Sequence, residues 1–358
     1  MKSFHITIAG QRIGPDEPTY VVAELSANHH QRYDEAEALV RAAKECGADA
    51  VKLQTYTADT LTIDCDKPCF RVGEGTLWAG RNLYDLYQEA YTPWEWQPRL
   101  KALAESLGMQ LFSTPFDRTS LDFLAAMDVP AYKVASFELV DLPLLAGIGR
   151  RGRPVIMSTG MATREEIDEA VATLRAAGCR ELALLKCTSA YPAPASEMRL
   201  DQMAALRERY DVPVGLSDHT LSNVAAIAAV ALGASIVERH FTLDRAVPGP
   251  DSAFSLEPVE FSALVASIRE AEQAVHRAPS IAGDDEFTIG PREAASRGFR
   301  RSLFVVADVK AGEVFTNENV RSIRPADGLP PKHLAEVIGR RAARSIERGT
   351  PLAWELIA

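Results

Sequence analysis

Two histidines in this sequence each follow the polar end of a short apolar run. His219 closes the segment VGLSDH, and His240 closes the segment ASIVERH. If each run is a buried strand, both imidazoles stand just past a strand carboxyl end, where parallel sheets and barrels bind their ligands. Two neutral imidazoles leave most of a divalent metal ion's coordination positions open to water or substrate, which suits Lewis-acid chemistry. Two histidines that cap helices remain the alternative.

Lysines in apolar surroundings give a second chemical clue. Of 39 basic residues only nine are lysines, yet three of them interrupt apolar runs: Lys52 in AVKLQ, Lys133 in YKVAS and Lys186 in LLKCT. A buried ammonium without a partner is costly, so each should face a fixed anion from the protein or from a ligand. The protein carboxylates that could pair with them are Glu24, Glu138 and Glu238.

Small hydroxyl side chains recur at the same strand ends. Together with lysines and backbone N–H groups they can form a phosphate cradle, and the sequence has no Walker-type loop to serve instead. Any one of them could equally cap a helix. The hydroxyls concerned are those of Ser113, Thr114, Ser136, Ser158, Thr159, Thr188, Ser189 and Ser217. The acids at this edge, whose roles the pattern does not distinguish, are Glu24, Glu138, Asp218, Glu238, Asp244 and Asp251.

Short β-rich runs alternate with amphipathic helices between about residue 20 and residue 276. This alternation predicts an α/β fold, a (β/α)₈ TIM barrel, with a doubly wound open sheet as the weaker choice. A hairpin around Ala9-Gly10 should precede it. The predicted strands are Tyr20–Leu25, Ala48–Leu53, Met109–Ser113, Ala131–Ala135, Pro154–Ser158, Leu182–Cys187, Pro213–Leu216 and Ala234–Val237. The clearest predicted helices are Tyr33–Cys46, Arg164–Ala177, Asn223–Ala231 and Pro258–His276.

Composition narrows the class of protein. The 358 residues are 47% apolar and 25% charged, as expected of a globular protein with a large core. A net charge of −10 argues against general binding to nucleic acid or membrane surfaces. No apolar stretch is long enough for a membrane span, which predicts a cytoplasmic protein, and the five cysteines lack paired spacing and are expected to be reduced.

Three regions depart from the regular alternation. Nearly forty residues separate Thr55 from Trp94, and this insertion should overhang the barrel mouth, where Trp78 and Tyr84 could cover substrate or simply pack on the barrel. Residues 281–296 are predicted to be a linker. Residues 297–358 are predicted to be a small, mostly β domain, following a barrel domain over residues 1–280.

These motifs resemble the sialic acid synthase family, whose members condense phosphoenolpyruvate with an amino-sugar aldehyde. The resemblance covers nearly the whole chain, and the tail is similar to the antifreeze-like (SAF) domain of that family. The motifs that carry it are VAELSANH, AVKLQTY, LFSTPFD, YKVASFE, MSTGMAT, LKCTSAYPAP, GLSDHT, VERHFTLDR, RRSLFVV and RSIRP. The form ELSANH, the insertion GTLWAGRNLYDLYQEAYTPWEW and the segment PGPDSAFSLEP look like the branch that makes pseudaminate.

The resemblance implies roles for individual residues. Manganese or a similar divalent ion would bind His219 and His240. Glu24, Glu138, Glu238 and Asp251 would face the sugar or metal-bound water, and Arg324 would reach in from the tail of a second subunit in a domain-swapped homodimer. Phosphoenolpyruvate would be held by Lys52, Thr114, Lys133, Ser136, Ser158, Ser189 and Ser217.

The implied reaction is a transfer with C–O cleavage. C3 of phosphoenolpyruvate attacks the open-chain aldehyde, water adds at C2, and phosphate leaves to give a nine-carbon 2-keto sugar acid. A carboxylate must take the proton of the water, with Glu24 the first choice and Glu138 the second. The alternatives are an N-acetylneuraminate or legionaminate synthase, which would differ in acceptor, and a non-catalytic glycan- or ice-binding protein.

Overall fold

The computed structural model describes residues 4–275 and 289–358. The chain divides into two compact units, Met1–Ser280 and Ile281–Ala358. No helix in the described part of the chain is long and apolar enough to cross a membrane.

The first unit is built on a closed barrel of eight parallel strands, which confirms the TIM-barrel prediction. The strands pair in chain order, and the last one closes the barrel on the first. Their bounds are β3 Tyr20–Glu24, β4 Ala50–Thr55, β5 Gln110–Pro115, β6 Tyr132–Val134, β7 Val155–Ser158, β8 Leu182–Cys187, β9 Val214–Asp218 and β10 Ile236–His240. The two preceding strands, β1 Ile6–Ile8 and β2 Gln11–Ile13, form the expected antiparallel hairpin.

The last two barrel strands end later than their sequence predicts. Polar residues at the ends of β9 and β10 still pair, with Arg239 opposite Asp218 and His240 opposite Glu24. His240 is therefore the last residue of a strand, whereas His219 follows one. The expectation that both lie past a strand end was wrong for His240, because backbone ladder bonds form regardless of side-chain polarity.

Helices surround the barrel and pack on its outer face. Helix α7 begins after Thr163, whose hydroxyl accepts from Glu166 N, and ends before Gly178 at φ +107°. The predicted helix bounds hold within two residues where they can be compared, and His276 lies outside the described residues. The helices are α1 Tyr33–Glu45, α2 Ala58–Leu61, α3 Leu83–Ala90, α4 Gln97–Ser106, α5 Arg118–Ala126, α6 Leu142–Gly149, α7 Arg164–Ala176, α8 Gln202–Tyr210, α9 Val224–Ala231 and α10 Pro258–Ala274.

The barrel interior changes character along its axis. Its amino-terminal end is apolar, because the hairpin isoleucines Ile6, Ile8 and Ile13 pack there against alternate strand residues such as Val22 and Ile236. Strand side chains alternate between the two faces, so the next inward positions are two residues further along. Those positions are occupied by polar side chains, namely Glu24, Lys52, Thr114, Lys133, Ser158, Ser217 and Glu238.

The second unit contains β11 Ser302–Val305 and β12 Val320–Ile323, which pair antiparallel, and the short helices α11 Pro291–Ser296 and α12 Leu334–Val337. Isolated bridges such as Phe304 to Pro351 and Val309 to Ile346 extend the β structure around a small core. This strand-rich unit agrees with the predicted tail. Of the predicted linker, residues 281–288 lie outside the described residues, and α11 occupies most of the remainder.

Candidate active site at the carboxyl ends of the barrel strands

Two lysines and two glutamates form a buried charge cluster inside the barrel. Lys52 Nζ lies 2.8 Å from Glu24 Oε2 and 3.3 Å from Glu238 Oε1. Lys133 Nζ lies 4.0 Å from Glu238 Oε1 and donates to Ser158 Oγ at 2.6 Å. The cluster thus holds two cationic and two anionic groups at the predicted edge of the barrel.

Burial and charge act in opposite directions on these groups. Burial lowers the pKa of Lys133 to about 8, despite the nearby Glu238 carboxylate. Burial opposes ionisation of Lys52 as well, but Glu238 and Glu24 raise its pKa above the ordinary value. The pKa of Glu24 is raised by burial, whereas Lys133 and Lys52 keep that of Glu238 low despite its burial. Lys52 is accordingly the more firmly charged of the two lysines.

Lys186 does not join this cluster. The sequence predicted that each of the three lysines faces a fixed anion, but the Lys186 ammonium contacts a neutral carbonyl and a hydroxyl. Lys186 stands between Leu185 and Cys187 on β8, and Leu184, two residues before it, packs in the outer core between barrel and helices. Lys186 has the same parity as Leu184, and its ammonium donates to Cys187 O at 2.5 Å and lies 3.4 Å from Thr188 Oγ1. Period-two alternation therefore separates Lys186 from the two inward lysines.

Serine hydroxyls converge on a close-packed glycine. Gly160 has φ +38°, and a Cβ built there would lie 2.3 Å from Ser136 Oγ and 2.7 Å from Ser189 Oγ. Only glycine leaves room for both hydroxyls at this turn. Nearby on the inner face, Thr114 Oγ1 is buried and has no hydrogen-bond partner among the described residues. That these hydroxyls bind a ligand remains a prediction.

Two of the remaining predicted hydroxyls are engaged within the cluster. Ser158 accepts from Lys133, and Ser217 Oγ donates to Glu238 Oε1 at 3.0 Å. Ser113, by contrast, lies on the outer face, where it is 2.6 Å from Thr55 Oγ1. It is therefore a structural hydroxyl and not part of the mouth.

The two histidines lie side by side, with ring centroids 5.3 Å apart. His219 Nδ1 is 2.9 Å from Thr188 O, so this nitrogen carries the proton as a donor and the lone pair lies on Nε2. His240 Nδ1 is buried and finds no hydrogen-bond partner within residues 4–275 and 289–358. Burial holds the pKa of His240 well below its ordinary value, which keeps the ring neutral.

This pair of imidazoles fits a divalent metal ion. Metal-binding histidines are neutral and commonly donate a hydrogen bond from their second ring N–H to a carbonyl. His219 Nδ1 is placed to do so with Thr188 O. In the described part of the chain, no group of three or more His, Cys, Asp or Glu side chains is arranged to hold a metal. The fit therefore rests on the two imidazoles.

Two further carboxyls have raised pKa values near the mouth. Burial raises the pKa of Glu138 to about 7, and its Oε2 atom is buried without a hydrogen-bond partner among the residues that the structure describes. Burial also raises the pKa of Asp251 to about 7; its carboxylate accepts from Ser26 Oγ and from Ala27 N. Both groups can exchange a proton near neutral pH.

Two acids that the sequence placed at the mouth serve other contacts. Asp218 is fully buried on the outer side of β9, where it pairs with Arg239. Asp244 Oδ1 accepts from Ala246 N at 2.8 Å and so shapes its own loop. Alternation explains the first case, because Asp218 follows the inward Ser217.

Aromatic side chains surround the histidines. Tyr191 stacks at 4.4 Å from the His219 ring, and Phe254 lies 4.8 Å from the His240 ring. Trp78 of the long insertion packs 5.6 Å from Tyr191, and its Nε1 donates to Pro250 O at 2.8 Å. Tyr84, in contrast, is bonded within the insertion to Asp59. Of the two aromatic residues expected over the mouth, Trp78 packs against Tyr191 and Phe254, the two rings that contact the histidines.

Sequence reasoning missed Cys187, Tyr191 and Phe254. Cys187 lies at the carboxyl end of β8, and its Sγ atom is 3.9 Å from Ser189 Oγ. Burial opposes its ionisation, but a hydrogen bond with His219 lowers the pKa of the thiol to about 7. Cys187 has the same strand parity as the inward residues Ala183 and Leu185. This parity was the signal in the sequence that could have placed Cys187 on the inner face. Arg324 lies exposed in the second unit.

Comparisons with known proteins show the family to which the chain belongs. A family model described as NeuB family matches residues 39–279, and one described as SAF domain matches residues 300–358. The pseudaminic acid synthase of Campylobacter jejuni strain 81-176 is 42% identical over 94% of this chain and 96% of its own. The N,N'-diacetyllegionaminic acid synthase of Legionella pneumophila is 34% identical over 96% of each chain. The crystal structure of the N-acetylneuraminic acid synthetase of Leptospira borgpetersenii, in complex with citrate, superposes with a TM-score of 0.71 at 28% identity, covering 82% of this chain and 95% of that one.

Proposed function

The chain belongs to the NeuB family, and we propose that it catalyses the reaction of a pseudaminic acid synthase. Phosphoenolpyruvate condenses with 2,4-diacetamido-2,4,6-trideoxy-altrose, giving a nine-carbon 2-keto sugar acid and phosphate. The observation that carries the proposal is the inward cluster of Lys52, Lys133, Glu24 and Glu238 beside the histidine pair, in a chain 42% identical to a protein with that activity.

The two inward lysines are proposed to hold the phosphate and carboxylate of phosphoenolpyruvate. Lys133 lies against Ser158, while Ser136 and Ser189 converge at Gly160 and Thr114 offers a buried hydroxyl. Charge-assisted hydrogen bonds from lysine to phosphate are stronger than neutral ones, and the hydroxyls add directional contacts. The ligand would replace contacts that Lys133 now makes with the protein.

A divalent ion such as Mn²⁺ held by His219 and His240 would supply Lewis-acid activation of the acceptor aldehyde. The chain's own contribution is to bring two imidazole rings side by side at the ends of two neighbouring strands, β9 and β10. Glu24 and Glu238, which both pair with Lys52, lie beside that position. The acceptor would therefore meet carboxylate groups there. We propose that Glu24, Glu238 and Asp251 bind acceptor hydroxyl or amide groups.

The proton of the water that adds at C2 needs an acceptor. Glu24 was the first choice from the sequence, but its Oε2 atom is paired with Lys52 and its Oε1 accepts from Gln54 at 3.1 Å. Glu138 has a buried oxygen without a partner in the described residues and a pKa of about 7. The contacts thus favour Glu138, and phosphate then leaves C2 with the bridging oxygen.

The acceptor is proposed to lie against the aromatic side chains of Trp78, Tyr191 and Phe254. A 6-deoxy sugar presents a methyl group where other amino sugars present a hydroxyl, and aromatic surface accommodates a methyl group. Trp78 belongs to the long insertion between Thr55 and Trp94. The proposed preference for a 6-deoxy sugar therefore depends on this insertion and not on the barrel alone. The carbonyl partner of Trp78, Pro250, precedes the proposed sugar-binding Asp251.

The tail unit is proposed to complete the site of a second subunit in a homodimer. Arg324 is exposed, and a guanidinium is suited to planar recognition of a carboxylate. The support for its action in trans is the family resemblance of the motif RSIRP.

The experiment that tests the function measures phosphate release from phosphoenolpyruvate with a panel of acceptors. The panel contains 2,4-diacetamido-2,4,6-trideoxy-altrose, the corresponding legionaminate precursor and N-acetylmannosamine. The proposal expects the highest kcat/KM with the altrose. A higher value with either other sugar would identify a different synthase, and no release with any sugar would favour a glycan-binding protein.

A further inference from the structure

A buried ion pair lies directly behind the two histidines. Asp218 precedes His219 and Arg239 precedes His240, and the two charged residues are opposite each other in the register of β9 and β10. Both side chains are completely buried and form a salt bridge. Because side chains alternate along a strand, this pair faces the helices and not the barrel interior. It cannot contact a substrate held by the inward cluster.

Arg239 does more than neutralise Asp218. Its guanidinium also donates to Thr220 O at 2.5 Å, lies 3.3 Å from Thr220 Oγ1 and donates to Ser222 O at 3.2 Å. Asp218 Oδ1 in turn accepts from Thr220 N at 2.8 Å. The Arg239 side chain on β10 therefore contacts Asp218, Thr220 and Ser222 of the loop 218–222. His219 lies on that loop.

Stability alone is a weak reason for such a pair. Replacing a buried ion pair by apolar residues of similar size is often neutral or stabilising, because two charges must be desolvated. What apolar packing does not supply is a directional link between two strand ends. A planar guanidinium with several acceptors fixes both distance and angle between them.

We propose that Asp218 and Arg239 form a latch that sets the spacing of His219 and His240 and thereby the affinity of the site for a divalent ion. This inference rests on the proposed function, since it takes the histidine pair as the metal site. Arg239 and Asp218 are positioning residues in this proposal. The latch restrains the backbone of His219. The ring of His219 is restrained separately by its contact with Thr188 O.

The test measures Mn²⁺ binding directly, from the loss of the free-ion electron paramagnetic resonance signal when metal-free protein is added. Groups that orient metal ligands typically contribute about 10- to 100-fold in metal affinity. We expect Asp218→Asn and Arg239→Lys each to raise the Kd for Mn²⁺ by about tenfold or more. Lysine keeps the charge opposite Asp218 but replaces the planar guanidinium with a single ammonium nitrogen, so it isolates the geometric effect.

The matched control is a second ion pair on the same barrel. Asp49 precedes β4 at the opposite end; its Oδ2 accepts from Val21 N at 2.8 Å and lies 3.2 Å from Arg269 Nη2. Asp49→Asn should lower the melting temperature yet leave the Kd for Mn²⁺ unchanged. If Asp49→Asn weakens Mn²⁺ binding as much as the latch variants do, the effect is general destabilisation and the latch proposal is wrong.

Enzyme kinetics give a second readout that a merely structural role would not move. The Mn²⁺ concentration for half-maximal rate should rise in Arg239→Lys, while kcat at saturating Mn²⁺ stays within about threefold of wild type because the reacting groups are unchanged. A folded Arg239→Lys variant with wild-type Mn²⁺ affinity overturns the proposal. So does an Asp218→Asn variant that loses kcat but keeps its affinity.

His240→Ala separates failure of the latch from failure of the metal site. If His240→Ala abolishes Mn²⁺ binding and the latch variants bind normally, the metal site stands and the latch falls. If His240→Ala still binds Mn²⁺ as wild type does, the histidine site itself is wrong, and the latch proposal falls with it. Circular dichroism melting of each variant shows that the compared proteins are folded.

Discussion

Glu24 and Lys52 are paired in register on neighbouring strands, and their carboxylate and ammonium lie 2.8 Å apart. Lys52 also reaches Glu238, whereas Lys133 is held by a serine hydroxyl and by Val134 O at 3.0 Å. The two lysines are therefore unequal: one is fixed by carboxylates and the other is held mainly by neutral groups. An incoming anion can recruit Lys133 without breaking a close ion pair.

Removing Lys133 should weaken binding of phosphoenolpyruvate more than removing Lys186. A hydrogen bond to a charged group contributes about 1.5–3 kcal/mol, so Lys133→Met should raise KM for phosphoenolpyruvate by about 10- to 100-fold. Lys186→Met is the control, because that ammonium lies on the outer side with Cys187 O. Its KM should stay within about threefold of wild type. Steady-state phosphate release measures both, and equal effects would remove Lys133 from the anion site.

Glu138 predicts a specific pH dependence of kcat/KM. Its pKa is raised to about 7, so it is largely protonated below that pH and cannot accept a proton from water. The rate should therefore fall as pH drops below about 7 in the wild-type enzyme. In Glu138→Gln this acidic limb should vanish and the rate should be low at every pH.

The matched variant is Glu24→Gln, which removes the other candidate carboxylate. Its rate should be lower than that of wild type, but the limb near pH 7 should remain. Should Glu24→Gln lose the limb while Glu138→Gln retains it, the two roles assigned here are exchanged.

Trp78 should control the choice of acceptor. Trp78→Ala removes the aromatic surface that packs on Tyr191 above the histidines, so the preference for the 6-deoxy sugar should fall by about tenfold or more. Tyr84→Phe is the control, because the Tyr84 hydroxyl bonds to Asp59 within the insertion. A competition assay with equal amounts of 2,4-diacetamido-2,4,6-trideoxy-altrose and N-acetylmannosamine gives the ratio of kcat/KM values. An unchanged ratio in Trp78→Ala would show that the insertion does not select the sugar.

The sequence predicted the barrel well because eight apolar runs alternate with amphipathic helices, apart from the long insertion between Thr55 and Trp94. The sequence alone does not show which side chains face the barrel interior and which face the helices, because this depends on the parity of each strand. Lys133 and Lys186 occur in similar apolar contexts, yet Lys133 lies two residues after the inward Ala131, whereas Lys186 lies two residues after the outward Leu184. The same parity separates Ser217 from Asp218.

Contacts between distant loops were beyond reach of the sequence. Phe254 meets His240, and Tyr191 meets His219, because separate barrel loops meet at one end. No spacing in the chain encodes those meetings. The raised pKa of Glu138 likewise depends on burial, which local sequence does not give.

Complementation should show whether the tail acts between subunits. Arg324→Ala and His219→Ala are each expected to be inactive. When they are co-expressed, a mixed dimer in which tails act in trans contains one barrel with intact histidines covered by an intact tail, so part of the activity should return. If the tail acts on its own barrel, each chain carries its own lesion and the mixture stays inactive.

The most direct test of the proposed reaction uses phosphoenolpyruvate labelled with ¹⁸O in the bridging oxygen. The purified protein is incubated with it, Mn²⁺ and 2,4-diacetamido-2,4,6-trideoxy-altrose, and both products are analysed by mass spectrometry. Water attack at C2 with C–O cleavage predicts an unlabelled nine-carbon 2-keto sugar acid and phosphate that carries the label. Label retained in the sugar acid, or no sugar acid from this acceptor, would contradict the account.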